Sequence, residues 1–255
     1  MTTVREIYDY LDKTAPFANQ DKSDNSGFLI GDFGANVDKV LVCLDATNKV
    51  IDEAKAKSSD LIIAHHPLMY RPVSRIMRGD PIYSMIAGGI NFLAYHTNLD
   101  MAVGCDLMLS ALSLPASDEV IEQMNPDGSG YGKVAELDSP ISAEELAVRC
   151  STKLECNSVR YVDGGKPIRR IGVCTGGGGD LTELAMAMGC DAYICGDLRH
   201  DRMTFAANHG FTLIDAGHYR TEDIFCGYLT ELIGGKFPNI SVEEAVNCVD
   251  VCKYV

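Results

Sequence analysis

Residues 37–67 read VDKVLVCLDATNKVIDEAKAKSSDLIIAHHP, and this stretch decides the fold. It opens with an apolar, β-branched run that ends at Leu44, and a second such run spans residues 61–64. Each run predicts a buried strand. Between them, apolar residues recur at helical spacing over residues 47–59. Strand, helix and strand in this order predict a βαβ unit with parallel strands.

The same alternation continues through the rest of the chain. A helix over residues 82–89 and a strand over residues 91–95 come next. Ser142, with Glu145 three residues later, forms a capping box that opens a helix over residues 143–154. The remaining predicted strands are 158–162, 168–175, 192–195, 211–215 and 242–251, and the remaining helices are 181–188, 201–208 and 221–232. The sequence therefore predicts an α/β fold of two domains, each a mainly parallel or mixed sheet flanked by helices.

One stretch is the best candidate for a domain junction. Residues 125–132, NPDGSGYG, are the most turn-rich part of the chain. We therefore predict an N-terminal α/β domain over residues 1–127 and a second α/β domain over residues 128–255.

Composition narrows the function classes. The chain has 36 acidic against 22 basic side chains and a formal charge of −14, which opposes general binding to nucleic acid or an anionic membrane. The N-terminus carries acidic residues where a signal peptide needs an apolar core, which predicts a soluble, cytoplasmic protein. The ten cysteines show no CxxC pair and lie mostly in apolar surroundings, which favours structural, reduced thiols.

Four of the six histidines directly follow predicted strands. His65 and His66 follow the strand over residues 61–64, His96 follows the next strand, and His218 comes shortly after the strand over residues 211–215. Ligand sites in open α/β sheets form outside the carboxyl ends of the strands, so we expect these segments to converge.

Two carboxylates accompany the histidines. Asp100 lies four residues after His96, at the same strand exit. Glu222 lies four residues after His218, and if residues 218–222 form the first turn of a helix, both of these side chains lie on one face. Imidazole and carboxylate together suit zinc, iron, manganese or nickel. Five such groups are too many for one catalytic zinc and would suit two metals about 3.5–4 Å apart. A single histidine at a strand end is more often a hydrogen-bonded structural residue, so the coincidence of three segments carries the prediction.

The same segments resemble a known family. IIAHHPLMYRPV from residue 62, YHTNLD from residue 95 and DAGHYRTE from residue 215 are similar to the signature segments of the NIF-three-like proteins. This dinuclear-metal family is often labelled GTP cyclohydrolase 1 type 2 homologues. SDNSGFLIGD from residue 23, VCTGGGGD from residue 173 and ICGDLRHD from residue 194 resemble further family segments, so the likeness covers nearly the whole chain.

The resemblance implies a ligand set and an assembly. His66 and Asp100 would hold one metal, His65 and His218 the other, and Glu222 would bridge them. His96 and Asp45 would lie close by, either supporting the ligands or facing substrate. Two divalent ions (Fe, Zn or Mn) would sit at strand ends in the interdomain cleft, and residues from about 211 to 255 would pack back onto the first domain. The family also implies a homo-hexamer, a trimer of dimers.

Two further features leave alternatives open. Arg71, Arg220 and His200 could neutralise a substrate phosphate or could have solvated, ion-paired roles. Gly176–Gly179, between a predicted strand and helix, could cradle a phosphate on its N–H groups or could form a plain tight turn. Asp45 could equally cap the helix that follows it.

The function expected from these residues is metal-dependent hydrolysis. Two metals can activate water and polarise a carbonyl or phosphoryl group, which favours a hydrolase of a nucleotide-like or phosphorylated small molecule. His96 would shuttle the proton. The alternative is a metal-binding or regulatory scaffold without turnover. The residues themselves specify neither the metal nor a guanine pocket.

Overall fold

The computed structural model describes residues 1–255 and confirms an α/β fold. The helices are α1 Val4–Thr14, α2 Asn48–Lys57, α3 Pro81–Gly88, α4 Thr97–Leu99, α5 Cys105–Ala111, α6 Ala143–Lys153, α7 Thr182–Ala187, α8 His200–His209, α9 His218–Glu222 and α10 Ile224–Lys236. The strands are β1 Thr2–Thr3, β2 Gly27–Ile30, β3 Asn36–Val37, β4 Lys39–Cys43, β5 Leu61–Ala64, β6 Asn91–Ala94, β7 Val120–Gln123, β8 Gly130–Ile141, β9 Arg160–Val162, β10 Ile168–Val173, β11 Ala192–Cys195, β12 Thr212–Asp215 and β13 Ser241–Glu244. A π-helical turn, Asp100–Gly104, joins α4 to α5.

The first compact unit contains residues 1–99 and 225–251. Its five-stranded sheet has the order β13-β4-β5-β6-β2, in which only β2 is antiparallel to its neighbour. All residues of β5 and β6 are buried, as expected for parallel strands covered on both faces. One face, with alternate residues of β4, β5 and β6, packs against apolar side chains of α2 and α3.

Local sequence signals set the bounds of the βαβ unit. The Thr47 hydroxyl accepts a hydrogen bond from the N–H of Val50 and begins α2, so Thr47 and not Asp45 is the cap. Ser58, in the left-handed region, ends α2 before β5 begins. The parallel pairing of β4, β5 and β6 brings their carboxyl ends to one edge of the sheet, where the predicted site residues follow.

The second compact unit contains residues 100–224 together with the last four residues of the chain. Its six-stranded mixed sheet has the order β7-β8-β10-β11-β12-β9, with β10, β11 and β12 parallel. The predicted capping box of Ser142 and Glu145 is present at the start of α6. The carboxyl ends of β10, β11 and β12 therefore also share one edge.

Three features differ from the prediction. The turn-rich residues 125–132 reverse the chain between the antiparallel strands β7 and β8, inside the second unit, whereas the units meet along the chain at residues 99–100 and 224–225. The return to the first unit begins at Phe225 rather than near residue 211, so His218 and Glu222 belong to the second unit. The last strand ends at Glu244 and does not continue to residue 251.

Two further predictions concern the state of the cysteines and the presence of a membrane-spanning helix. All ten cysteines are free thiols, and most are buried. No helix combines the length and the apolar character required to cross a membrane.

Candidate metal centre

Three histidine rings converge at the carboxyl edge of the first unit's sheet. His65 and His66 follow β5, and His96 follows β6. Ring centroids lie 5.1 Å apart for His65 and His66, 5.0 Å for His65 and His96, and 5.3 Å for His66 and His96. One nitrogen from each ring lies within 4.8 Å of the others. The predicted convergence of these two segments is therefore present within this unit.

Each of the three rings is oriented through its Nδ1 atom. His65 Nδ1 is 2.9 Å from the carbonyl oxygen of Tyr95, His66 Nδ1 is 2.8 Å from an Asp45 carboxylate oxygen, and His96 Nδ1 is 2.8 Å from an Asp24 carboxylate oxygen. Carbonyl and carboxylate oxygens only accept, so Nδ1 carries the proton in each ring. The lone pair of the neutral imidazole is then on Nε2, which is the atom left to bind a metal or a proton.

Asp24 holds His96 more rigidly than Asp45 holds His66. The Asp24 side chain is 2% exposed, against 50% for Asp45. Its second oxygen accepts hydrogen bonds from the Thr97 hydroxyl at 2.6 Å, the Thr97 N–H at 3.2 Å and the Ser26 hydroxyl at 2.8 Å. Burial alone raises the pKa of Asp24, but the hydrogen bonds from His96 and Thr97 outweigh it and hold the pKa well below its usual range. Asp24 therefore stays ionised and keeps the His96 ring in one orientation.

The second unit has a set of polar side chains of its own. The Thr175 hydroxyl, after β10, donates to Asp100 at 2.8 Å. Asp197, after β11, accepts from His218 Nδ1 at 2.8 Å, and His218 Nε2 is 2.9 Å from a Glu222 oxygen. The predicted pairing of His218 and Glu222 on one helix face is confirmed, because both lie on α9. Oxygen atoms of Asp100 and Glu222 approach within 4.8 Å of each other.

The electrostatics of this set favour a positive charge. Asp100 is 8% exposed and Glu222 is 3% exposed. Burial by itself lowers the pKa of His218, but the carboxylates of Glu222 and Asp197 outweigh it and raise the pKa to about 9. Without a metal, a proton on His218 supplies the cation that these carboxylates require.

The glycine-rich turn after β10 makes room for Glu222. Gly176 has φ +59°, and a Cβ added there would lie 1.9 Å from Glu222 Oε1. The Gly176 N–H donates to the Thr221 hydroxyl at 3.0 Å, and the Gly178 N–H donates to the Gly176 carbonyl at 3.0 Å. One of these two N–H groups bonds within the turn and the other bonds to α9, so neither is directed at a phosphate, which favours the tight-turn interpretation over the phosphate cradle.

The remaining predicted residues lie in different settings. Arg71 is exposed in the irregular segment after Pro67. His200 is exposed at the start of α8, with Nε2 3.4 Å from the Thr204 hydroxyl. Arg220 contacts the Asp223 carboxylate at 3.4 Å. Contacts of these three side chains with a substrate stay predictions.

Several residues that orient the site have no predicted role from the sequence. Asp197 and Thr175 follow the ends of strands β11 and β10, so the strand-end rule applied to the histidines could have found them. Asp24 precedes β2 and is 72 residues from His96, and no local spacing connects the two.

A divalent metal fits these donors. Metal-binding histidines usually donate the second ring N–H to a carboxylate or a carbonyl, and all four rings here do so. Neutral imidazole with buried carboxylate is a donor set that zinc, iron and manganese accept.

Comparison with known proteins supports the resemblance drawn from the motifs. The model for Duf34/NIF3 (NGG1p interacting factor 3) matches residues 2–252. The chain belongs to the Duf34/NIF3 family. Among its curated relatives, a "GTP cyclohydrolase 1 type 2 homolog" of Clostridium acetobutylicum is 32% identical over 227 residues, covering 86% of this chain and 85% of the relative. A protein of the same description from Clostridium perfringens is 31% identical and covers 86% of each chain.

Solved structures have the same fold. The crystal structure of a Staphylococcus aureus hypothetical protein superposes with a TM-score of 0.92 at 27% identity and covers 99% of both chains. A Bacillus cereus protein related to NIF3 superposes with a TM-score of 0.90 at 21% identity, covering 100% of this chain and 99% of its own. Because the Bacillus protein shares only 21% of its sequence with this chain, the comparison with it supports the fold alone.

Proposed function

We propose that this NIF3-family chain binds two divalent metal ions and hydrolyses a nucleotide-like or phosphorylated small molecule. One observation carries the proposal: the histidines of the site each have Nδ1 hydrogen-bonded to an acceptor, at 2.8–2.9 Å, which leaves Nε2 as the atom that can bind a metal in His65, His66 and His218 and a proton in His96. The exposed His209, outside the site, also has its Nδ1 2.8 Å from a carbonyl oxygen, so the convergence of oriented rings, and not one such contact, supports a metal site. The name of the curated relatives, GTP cyclohydrolase 1 type 2 homolog, supports a hydrolytic role.

The proposed ligand set combines donors of both units. His66 and Asp100 would hold one ion, His65 and His218 would hold the other, and Glu222 would be shared between them. Neither unit alone offers a complete set, because the first supplies only imidazoles and the second supplies one imidazole with two carboxylates. Chain connectivity supports the combination. Asp100 lies four residues after His96. Glu222 lies three residues before Phe225, and the Phe225 ring stacks on the His65 ring with the ring centroids 4.3 Å apart.

When bound, the two ions supply an activated water and polarise the group under attack. His96 is the proposed proton carrier, because Asp24 holds its Nδ1 and leaves Nε2 able to take a proton and pass it to a leaving group. Buried Asp24 stabilises the protonated ring during that transfer, as a carboxylate does in other histidine-carboxylate pairs. Asp45 performs the different task of fixing the His66 ring.

A basic segment next to His66 favours an anionic substrate. Residues 68–79 contain Arg71, Arg75 and Arg78 and no acidic residue, although the whole chain carries −14. All three arginines are exposed. Guanidinium groups bind phosphate oxygens in pairs, so this segment is the proposed phosphate contact.

The ligand set is tested by metal content. Purified protein would be loaded with Mn²⁺, Zn²⁺ or Fe²⁺, desalted and measured by elemental analysis. We expect two ions per chain in the wild type and loss of most of the metal in Glu222→Gln. Glu231→Gln, the same change at an exposed position of α10, is the matched control and should keep both ions. Unchanged metal in Glu222→Gln would remove the bridge from the proposal.

Turnover is tested separately on the loaded protein. GTP, p-nitrophenyl phosphate and cyclic amides form a first panel, and product formation should require both metal and an intact His96. Metal binding without turnover of any of them would favour the scaffold alternative. The homo-hexamer and the cytoplasmic location stay predictions, the first of them open to light scattering of the purified chain.

A further inference from the structure

One buried carboxylate in the second unit has no part in the proposed ligand set. Asp215 is the last residue of β12 and is 6% exposed. His218, a proposed metal ligand, comes three residues later in the chain. Burying a carboxylate is unfavourable unless the group is paired and hydrogen-bonded, so the partners of Asp215 indicate what it does.

Asp215 accepts hydrogen bonds from two separate loops. Its Oδ2 atom accepts the Leu198 N–H at 3.2 Å, in the loop after β11, and its Oδ1 atom accepts the Gly217 N–H at 3.1 Å, in the loop after β12. Leu198 directly follows Asp197, and Gly217 directly precedes His218. The carboxylate therefore bonds to the backbone beside each member of the Asp197–His218 hydrogen bond.

Arg160 connects the same two loops from β9, where it lies opposite Asp215 in the sheet register. Its Nε atom donates to the Asp215 carboxylate at 3.2 Å, and its Nη2 atom donates to the same carboxylate. Nη2 also donates to the Leu198 carbonyl at 2.7 Å. Because a guanidinium is planar and holds its donors in a fixed geometry, this one side chain fixes the carboxylate and the Leu198 peptide relative to each other.

The loop after β11 depends on such support. Asp197 has φ +53°, in the left-handed region that is uncommon for a residue with a side chain. A residue keeps this conformation only where its surroundings determine it. The two loops also pack backbone against backbone, since a Cβ added at Gly196 would lie 2.6 Å from the His218 backbone nitrogen. In this conformation the Asp197 carboxylate accepts from His218 Nδ1 at 2.8 Å.

We propose that Asp215, together with Arg160, is a positioning residue for the His218 ring. It fixes the backbone on both sides of the Asp197–His218 hydrogen bond, and that bond sets the ring with Nε2 2.9 Å from Glu222. The inference rests on the proposed function in one respect, that His218 is a metal ligand. A carboxylate with a purely structural role would lower stability when removed and would leave the ring in place.

The same sheet offers a matched control. Asp191, just before β11, accepts the N–H groups of Arg169 and Arg170 at 2.9 Å and 2.8 Å, at the edge of the sheet opposite to Asp215. Zn²⁺ affinity of the full-length protein would be measured by equilibrium dialysis, beside thermal unfolding of the metal-free chain. We expect Asp215→Asn and Asp191→Asn both to lower the Tm. Only Asp215→Asn should weaken Zn²⁺ binding, by about 10- to 100-fold, the usual effect of disturbing a group that orients a ligand.

The ring itself is observed in the metal-free protein. NMR of the chain labelled with ¹³C-histidine gives the ring C–H signals, and His218→Gln identifies those of His218. These signals should shift in Asp215→Asn and stay unchanged in Asp191→Asn. Such a shift, found together with a wild type that binds no metal, would remove the proposed function and still support the positioning role.

A second variant covers the case in which Asp215→Asn does not fold. Arg160→Gln changes a side chain that is 61% exposed, and it should shift the same ring signals and weaken Zn²⁺ binding. Arg169→Gln, at a side chain that is 56% exposed, is its control and should do neither. Ring signals and Zn²⁺ affinity that stay at wild-type values in Arg160→Gln would overturn the proposal, as would an equal loss of affinity in Asp191→Asn and Asp215→Asn.

Discussion

Replacing Gly176 by alanine should displace the Glu222 carboxylate and reduce metal binding while the second unit stays folded. The new Cβ would lie 1.9 Å from Glu222 Oε1, and real Cβ contacts are essentially never below 3.0 Å, so one of the two groups must move by at least 1.1 Å (3.0 − 1.9). Glu222 is 3% exposed and its other oxygen is 2.9 Å from His218 Nε2. A movement of this size breaks that contact and misplaces the proposed bridging oxygen.

Two magnitudes follow from the geometry. An alanine at φ +59° costs about 1–2 kcal/mol relative to glycine, which lowers the Tm of a chain of this size by roughly 2–8 °C. Disturbing groups that orient metal ligands usually weakens metal affinity by about 10- to 100-fold, and a displaced ligand should cost at least that much. The loss of metal affinity should therefore exceed what the modest loss of stability explains.

The assay pairs Zn²⁺ or Mn²⁺ titration, read by elemental analysis after equilibrium dialysis, with thermal unfolding of the metal-free protein. Gly177→Ala is the control, because its φ is −79° and the nearest atom to its added Cβ is 3.9 Å away, on His218. We expect Gly177→Ala to bind metal like the wild type. Equal metal affinity in Gly176→Ala and Gly177→Ala would refute the reasoning that Glu222 depends on the missing side chain.

Four further outcomes are expected. Asp24→Asn should leave metal content unchanged and lower kcat by about 10²–10⁴-fold, because the amide no longer stabilises a protonated His96. The same change at the exposed Asp9 is the control. An unchanged kcat in Asp24→Asn would exclude His96 as the proton carrier. Glu53→Gln should reduce stability at pH 6 by about 3 kcal/mol, since contacts with Lys57, Val246 and Asn247 outweigh burial and lower the Glu53 pKa from 4.5 to about 2. That contribution is complete above pH 4.5 and is lost as the pH falls towards 2, so the Tm values of variant and wild type should converge in acid and stay apart at pH 6. Alanine at Arg71, Arg75 and Arg78 together should raise KM for a phosphorylated substrate with little change in kcat, and a KM that rises equally for a neutral substrate would exclude phosphate binding by this segment. A metal ion at 100 times its Kd should stabilise the wild type by about 2.7 kcal/mol in thermal unfolding and should not stabilise Glu222→Gln to the same extent.

Local pattern predicted most of the secondary structure because each signal acts over a few residues. The βαβ unit over residues 37–67, the capping box at Ser142 and the strands before the histidines all form where apolar spacing and capping placed them. The strand predicted over residues 242–251 ends at Glu244. Beyond it, the N–H groups of Val246 and Asn247 donate hydrogen bonds to the buried carboxylate of Glu53, which is distant in the sequence, and the chain turns away from the sheet. Residues 125–132 do form a turn, but the turn connects the strands of a hairpin and not two domains, because the same residue types suit any reversal of the chain.

The sequence by itself determined the element order, the family and the identity of the candidate metal-binding side chains, because parallel strands carry whatever follows them to one edge of a sheet. Only the tertiary structure decided how the imidazoles are oriented. The groups that hold the Nδ1 atoms, Asp24, Asp45, Tyr95 and Asp197, lie 21 to 72 residues from their histidines, and only sheet register and loop packing bring them within 3 Å. Register also places Thr175 against Asp100 and the glycine turn against Glu222. Such contacts depend on pairing between distant segments, for which a local sequence pattern contains no signal.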